Sequence, residues 1–424
     1  MGPDQHLPNR TTVAIIGAGQ AGLAMSRHLS QRSIDHVLIE RGDVANSWRT
    51  ERWDSLRLLT PNWMTRLPDH RYDGDDPDGY MTAGEVVDFL ADYRTRIAAP
   101  VVDRTTVITV EPASDPGGWH RVVTDAGTIE ARAVVVATGA CSTPKIPAIG
   151  AELPAGIRQL APIHYRNPDA IGVDGRILVV GASASGAQLA DELARAGRDV
   201  TIAAGDHVRL PRDYRGMDIH WWMTTTGVLD ERWDEVPDIM KARRAPSLQL
   251  VGSPERRSVD LNTLHGNGVQ VVGRLAGING SIGLFSGSLA NQVATADLRL
   301  GRLLDRFDAY ATEVGLDAEL AAPERPAPTS IPTDTTTLDL TSVGAVIWAT
   351  GFTPNYPWLP DGLLDRKGAI RHDGGVMTEP GFYVIGLPFT RKRKSTFLDG
   401  VADDAADLSA HLAGHLDSVA ALAA

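Results

Sequence analysis

Two stretches of the chain share one pattern of apolar run, glycine turn and apolar residues at helical spacing. Residues 11–42 read TTVAIIGAGQAGLAMSRHLSQRSIDHVLIERG and residues 175–206 read GRILVVGASASGAQLADELARAGRDVTIAAGD, an offset of 164. The runs Val13 to Ile16 and Ile177 to Val180 are continuous rather than alternating, as expected of parallel strands buried on both faces. After each turn, Leu23, Met25 and Leu29, or Leu189 and Leu193, mark the inner face of a helix, and a second apolar run follows. Each block predicts a βαβ unit. Later in each half a buried-looking strand ends in a Thr-Gly turn, VVVATG at Val134 to Gly139 and AVIWATG at Ala345 to Gly351.

The rest of the chain hangs on these units. A helix is predicted over about Ala83 to Ile97, hairpin strands around Val107 and Val122, a second long helix over about Ala290 to Val314, and a strand at Phe382 to Ile385 before an amphipathic terminal helix. The proline-rich stretch Pro144 to Pro168 reads as a linker, and Ala321 to Thr337 as a mobile loop or returning connection. Residues 223–257 are charged and read as a helical excursion. The predicted fold is α/β with two Rossmann-like dinucleotide-binding domains. The first begins in residues 1–168, an inserted second occupies 169–354, and residues 355–424 complete the first.

Composition narrows the function. Hydrophobic residues make up 43% and charged residues 22%, with a mean hydropathy of −0.13, as in ordinary globular proteins. The formal charge of −12 argues against nucleic acid or an anionic membrane as the main partner. Cys141 is the single cysteine, which excludes a disulfide, a dithiol redox pair and a cysteine-built metal site, so no metal is expected. Met1 to Arg10 lacks a signal-peptide pattern and no apolar stretch approaches a membrane span, so a cytoplasmic location is expected. Oligomeric state stays open.

The glycine loops carry the chemistry. In GAGQAG, Gly17 permits the turn, Gly19 lets the backbone approach a pyrophosphate, and Gly22 allows close helix–strand packing, with Gln20 and Ala21 opening the helix. Phosphates then meet the free N–H groups of the helix N-terminus. Glu40 ends the second strand, where a carboxylate accepts ribose hydroxyls. In the second loop, GASASG, Gly181 and Gly186 are kept, Ser183 takes the middle place, and Ser185 excludes a nucleophile elbow, which needs glycine there. The offset puts Ala204 where Glu40 stands in the first unit. Without that carboxylate, and with Arg209 and Arg212 close behind, the second site favours NADPH over NADH. Asp206 counts against it. Two such sites imply FAD in the first and a nicotinamide cofactor in the second, hence hydride transfer to flavin.

GAGQAG, Trp48-Arg49, WDSLRLLTP (Trp53 to Pro61), ATGACSTPKIP (Ala137 to Pro147), the second glycine loop and ATGF (Ala349 to Phe352) together resemble the class B flavin-containing monooxygenases, YUCCA-like members above all. The resemblance spans nearly the whole chain, including RLPRDYRGMDIHWW (Arg209 to Trp222) and GLPFTRKRKSTFLDGV (Gly386 to Val401). It implies FAD and NADPH, a C4a-(hydro)peroxyflavin formed with O2, and transfer of one oxygen atom to a small, mostly apolar substrate by N- or S-oxygenation or Baeyer–Villiger-type insertion. It also implies that Trp48, Arg49, Thr60, Val107, Ala137 and Gly139 help to hold FAD. The two polar positions associated with the oxygenated flavin are Leu59 and Ala161 in this chain, leaving Thr60, Asn62 and His164 as substitutes. That departure supports two rival readings: an NAD(P)H-dependent flavin reductase or oxidase making hydrogen peroxide, and a catalytically silent flavin-binding protein. Trp221, Trp222 and Phe285 are candidate substrate contacts, with core packing as the competing reading.

Overall fold

The computed structural model describes residues 7–115 and 117–423. Part of the Met1 to Arg10 segment read above therefore lies outside the described residues. The apolar runs form two separate, largely parallel sheets. In the first, strand Arg10–Ile16 lies between His36–Ile39 and Gly127–Val136, with Val101–Val102 beyond one neighbour and Phe382–Val384 beyond the other. The register pairs Ile16 with both Ile39 and Val136, and Val384 with Val136, so the carboxyl ends share one edge. Val107–Glu111 and His120–Thr124 extend this sheet as an antiparallel hairpin. In the second, the order is Gln270–Gly273, Val200–Ala204, Arg176–Val180, Val343–Trp348 and Arg158–Leu160, all parallel. Ligands in such sheets bind at the carboxyl edge.

The central strands are continuous apolar runs because both faces are covered: Val13, Ile15, Ile177 and Val179 have no exposed surface. Helix Gln20–Gln31 buries Leu23, Met25 and Leu29 in the first core, where Val401, Leu408 and Leu412 of the terminal helix Leu398–Ala423 join it. Each fully buried Leu contributes about 1.5–3 kcal/mol of transfer free energy. Helix Ala83–Arg96 starts at a capping box between Thr82 and Glu85, which satisfies two free backbone donors. Helix Leu289–Glu313 packs Leu300, Leu304 and Phe307 on Trp222.

Two expectations change and one open alternative is decided. The excursion over 223–257 is not helical: the helix lies earlier, at Ile219–Thr225, where Asp218 caps it, and only the turn Ile239–Ala242 follows. Pro237, Pro246 and Pro254 stop longer helices there by removing donors and blocking the preceding turn. The linker Pro144 to Pro168 contains strand Arg158–Leu160 of the second sheet, so that sheet starts ahead of residue 169. The stretch from Ala321 is the returning connection, tied down where Arg209 and Arg215 donate to the carbonyls of Ala327 and Ala321. Loop Val251 to Arg257, from the second half, presses on the first: a Cβ on Gly252 would stand 2.1 Å from the Leu58 carbonyl oxygen.

Candidate functional site

The first glycine loop closes at the carboxyl edge of its sheet. Gly17 has φ +108°, and a Cβ there would meet the Ala137 carbonyl at 2.6 Å. A Cβ on Gly22 would lie 1.9 Å from the Gly17 oxygen, which brings the helix onto the strand, whereas a Cβ on Gly19 would meet nothing and project into open space. That space belongs to a cavity of about 500 Å³ bordered by Gly17, Gly19, Gln20 and Ala21 on one side and Ala137 and Gly139 on the other. Glu40, Trp48 and Val107 also line it. Glu40 is buried, and its carboxylate spans two turns, accepting from Ala18 N at 2.8 Å and from Gly42 N at 3.0 Å. A dinucleotide fits this shape: glycine backbone for a pyrophosphate and a fixed carboxylate for a ribose.

Other predicted residues lie elsewhere. Arg49 does not border the cavity and donates through Nε to the Val44 carbonyl at 3.0 Å. Arg52 borders it instead, its guanidinium 5.1 Å from the Trp48 ring centroid. The helix carrying Trp48 ends at Thr50, so Arg52 reaches the ring from the following bend, a contact that helical spacing does not foretell. Thr60 is outside the cavity. Asn62 is taken up by loop structure, donating to the Asp76 carbonyl and accepting from Met81 N, both at 2.9 Å. One of its two amide hydrogens and its amide oxygen are thereby engaged in holding the loop. Ala161 is buried and His164 exposed, both just past strand Arg158–Leu160 at the carboxyl edge of the second sheet.

The second glycine loop repeats the first. Gly181 has φ +109°, a Cβ on it would meet the Ala349 carbonyl at 2.3 Å, and one on Gly186 would lie 1.9 Å from the Gly181 oxygen. Ser183 and Ser185 are half-buried, with no hydrogen bond from either hydroxyl to the described residues. Two residues not singled out from the sequence brace this loop. Gln249 donates to the Ala182 carbonyl at 2.7 Å and Ser247 Oγ accepts from Ala184 N at 3.3 Å.

The arginines expected to meet a 2′-phosphate do not face this loop. Arg209 is buried, with Nε on Asp260 at 2.8 Å, Nη1 on Asp297 at 2.7 Å and Nη2 on the Ala327 carbonyl at 2.8 Å. Arg212 has no exposed surface and is bonded to Asp218, His220 and the Leu59 carbonyl. Both guanidiniums are turned into the protein, with Arg212 Nε left without a partner among the described residues. A different cation stands at the expected place: Ala204 pairs with Gly273, so Arg274 follows at the carboxyl edge beside Gly205. Arg274 is exposed, and its side chain makes no hydrogen bond or ion pair with the described residues. Asp206, the residue that counted against a phosphate, is paired with Arg299 at 2.7 Å.

The substrate candidates are also reassigned. Trp222 is fully buried, stacks on Phe307 at 5.4 Å and donates to the Tyr214 carbonyl at 2.7 Å. Phe285 is buried between the second sheet and its covering strands, with Leu338 and Trp348. Both are core, because each finds apolar partners from segments distant in sequence. Trp221 is half-buried, edge-on to Trp222. Among the described residues no group of three or more His, Cys, Asp or Glu is placed to hold a metal ion, and no helix is long and apolar enough to cross a membrane.

Two parallel sheets, each with a glycine loop at its carboxyl edge, define a flavoprotein oxidoreductase with two Rossmann-like dinucleotide sites. Residues 14–226 match the model of the pyridine nucleotide-disulphide oxidoreductase family. The chain is 30% identical over 417 residues to an uncharacterized CzcO-like oxidoreductase of Geobacillus kaustophilus, covering 97% of this chain and 100% of that one. It is also similar to the indole-3-pyruvate monooxygenase YUCCA6 of Arabidopsis thaliana, at 32% over 215 residues, or 49% of this chain and 51% of the relative. A flavin-containing monooxygenase from Stenotrophomonas maltophilia has the same fold, with a TM-score of 0.64 at 23% identity, covering 96% of this chain and 99% of that one. The chain belongs to the pyridine nucleotide-disulphide oxidoreductase family and is class B flavin-containing monooxygenase-like. With one cysteine it lacks the dithiol that disulfide reduction requires.

Proposed function

We propose that the first cavity holds FAD, that the second loop holds NADPH, and that the chain is a monooxygenase placing one oxygen atom from O2 on a nitrogen, a sulfur or a ketone of a small, mostly apolar molecule. The observation that carries this is Glu40, a buried carboxylate fixed across the first glycine loop in a cavity of about 500 Å³, with no counterpart in the second unit. Bound flavin supplies hydride acceptance and O2 activation. The chain's part is to bind and orient: Gly17, Gly19 and the helix start at Gln20 seat the pyrophosphate, Glu40 holds the ribose, and Trp48 with Arg52 closes the mouth. At the second loop Ser183 and Ser185 offer hydroxyls to the phosphates, and Arg274 is the cation for a 2′-phosphate. The domains follow the sheets, the first from residues before 157 and after 355, the second between.

A second reading, an oxidase that releases hydrogen peroxide, is favoured by apolar Leu59 and Ala161 and by the engaged amide of Asn62. One experiment separates the two. The purified protein is reduced anaerobically with NADPH or NADH and mixed with O2 while the flavin spectrum and peroxide are followed. The monooxygenase reading expects a transient species distinct from oxidised flavin, whose decay an amine, sulfide or ketone accelerates. Direct reoxidation with one peroxide per NADPH, unaffected by such compounds, establishes the oxidase. A protein without visible absorbance removes both readings.

A further inference from the structure

A second cavity, of about 420 Å³, opens where the two halves meet and shares no bordering residue with the first. Trp53, Leu56 and Val251 give it an apolar wall continuous with the core of the second sheet. Its other wall is the carboxyl-terminal part of helix Ala184–Arg195, where Gln188, Glu192 and Arg195 recur at helical spacing and all border the cavity. This is not the nucleotide end of that helix, since Ser183 and Glu192 stand roughly 13 Å apart along its axis.

The polar groups at this border divide into those that satisfy one another and those that do not. Arg257 pairs with Asp191 at 2.5 Å and with Glu255 at 3.5 Å, and Arg57 donates to the Tyr80 carbonyl at 2.7 Å. Gln188 Nε2 donates to the Leu250 carbonyl at 2.7 Å, which fixes the amide and leaves its oxygen without a donor among the described residues. Glu192 Oε2 has no hydrogen-bond partner, and neither has the Tyr165 hydroxyl near it. Burial pushes the Glu192 carboxyl up, Asp54 and Asp191 add to this, and the Ser55 and Tyr165 hydroxyls oppose it. A cation placed against the carboxylate offsets that penalty. Arg195, about a turn further along, is exposed and makes no hydrogen bond or ion pair with the described residues. Acceptors in need of a donor and a cation in need of an anion therefore stand on one helix face, opposite an apolar wall. A simple amine would leave Arg195 unanswered, and a simple acid would leave Glu192 so.

We propose that this second cavity binds a small apolar α-amino acid as its zwitterion, with the ammonium on Glu192 and the Gln188 oxygen, the carboxylate on Arg195, and the side chain on Trp53, Leu56 and Val251. The volume is that of a small-molecule site. The inference is independent of what the first cavity holds.

The test is calorimetry on the purified holoprotein with three probes: L-phenylalanine, its methyl ester, which lacks the carboxylate, and its N-acetyl derivative, which lacks the ammonium. L-Phenylalanine is expected to bind, and each masked probe to bind roughly tenfold more weakly, because each gives up a charge-assisted hydrogen bond. Glu192→Gln should weaken L-phenylalanine roughly tenfold and leave the N-acetyl probe unchanged, whereas Arg195→Gln should weaken it as much and leave the methyl ester unchanged. Because Arg195 is exposed, its substitution tests the site without disturbing a buried group. No heat from L-phenylalanine, a masked probe that binds as tightly, or an affinity indifferent to both substitutions overturns the proposal. A change in flavin absorbance on adding L-phenylalanine that survives both substitutions places the ligand in the first cavity and overturns it as well.

Discussion

The two glycine loops have nearly the same backbone and opposite surroundings. Gly17 and Gly181 share φ near +108°, and each stands against the carbonyl that ends the neighbouring strand, Ala137 in one and Ala349 in the other. At the tip of the next strand they diverge. The first unit has Glu40, buried and bonded to two backbone N–H groups, while the second has Ala204, with exposed Arg274 one strand over. A shared scaffold sets where a dinucleotide lies, and a few strand-tip side chains set which one.

Four predictions follow the two halves, from changes of several kcal/mol down to about one. Asp404 of the terminal helix has no exposed surface and neither oxygen has a partner; burial pushes its carboxyl up to about 7, with Ser395, Arg391 and Lys392 opposing. Because the folded value is raised, its contribution to stability is fully present below the usual carboxylate range and is lost as pH rises toward 7. Asp404→Asn should therefore match the native protein at pH 4 and exceed it by up to about 4 kcal/mol above pH 7, measured by denaturant unfolding of the FAD-free protein. An unchanged pH slope contradicts this. Next, Arg209→Ala strands Asp260 and Asp297 and should cost about 3–5 kcal/mol while leaving the NADPH-to-NADH preference unchanged. A lost preference without a lower melting temperature would restore the phosphate role. Third, Glu40→Ala should weaken FAD by about 2–3 kcal/mol, roughly 30- to 150-fold in Kd, with NADPH affinity unaffected. Smallest, Arg274→Ala should weaken NADP+ roughly tenfold and NAD+ hardly at all, by calorimetry on the oxidised protein. Equal losses for both would place the 2′-phosphate elsewhere.

Sequence made the loops legible because their requirements are local. Turn, close approach and helix packing fall within six residues, so Gly17 to Gly22 and Gly181 to Gly186 announce themselves. The arginines were misread because their partners are remote: Arg209 bonds Asp260, Asp297 and Ala327, which no neighbouring residue foretells. Trp222 and Phe285 were ambiguous for the same reason, since Phe307 and Trp348 decide their burial. Arg274 became visible only with the pairing of Ala204 and Gly273, a fact of sheet order rather than of spacing.

The grip on two adjacent carbonyls has a mechanical meaning. Gly252 lies against the Leu58 oxygen and Arg212 holds the Leu59 oxygen, so a short segment of the first half is clamped by the second. A clamp of this kind resists shear: any rotation of the second half against the first either drags Leu58 and Leu59 with it or breaks these contacts.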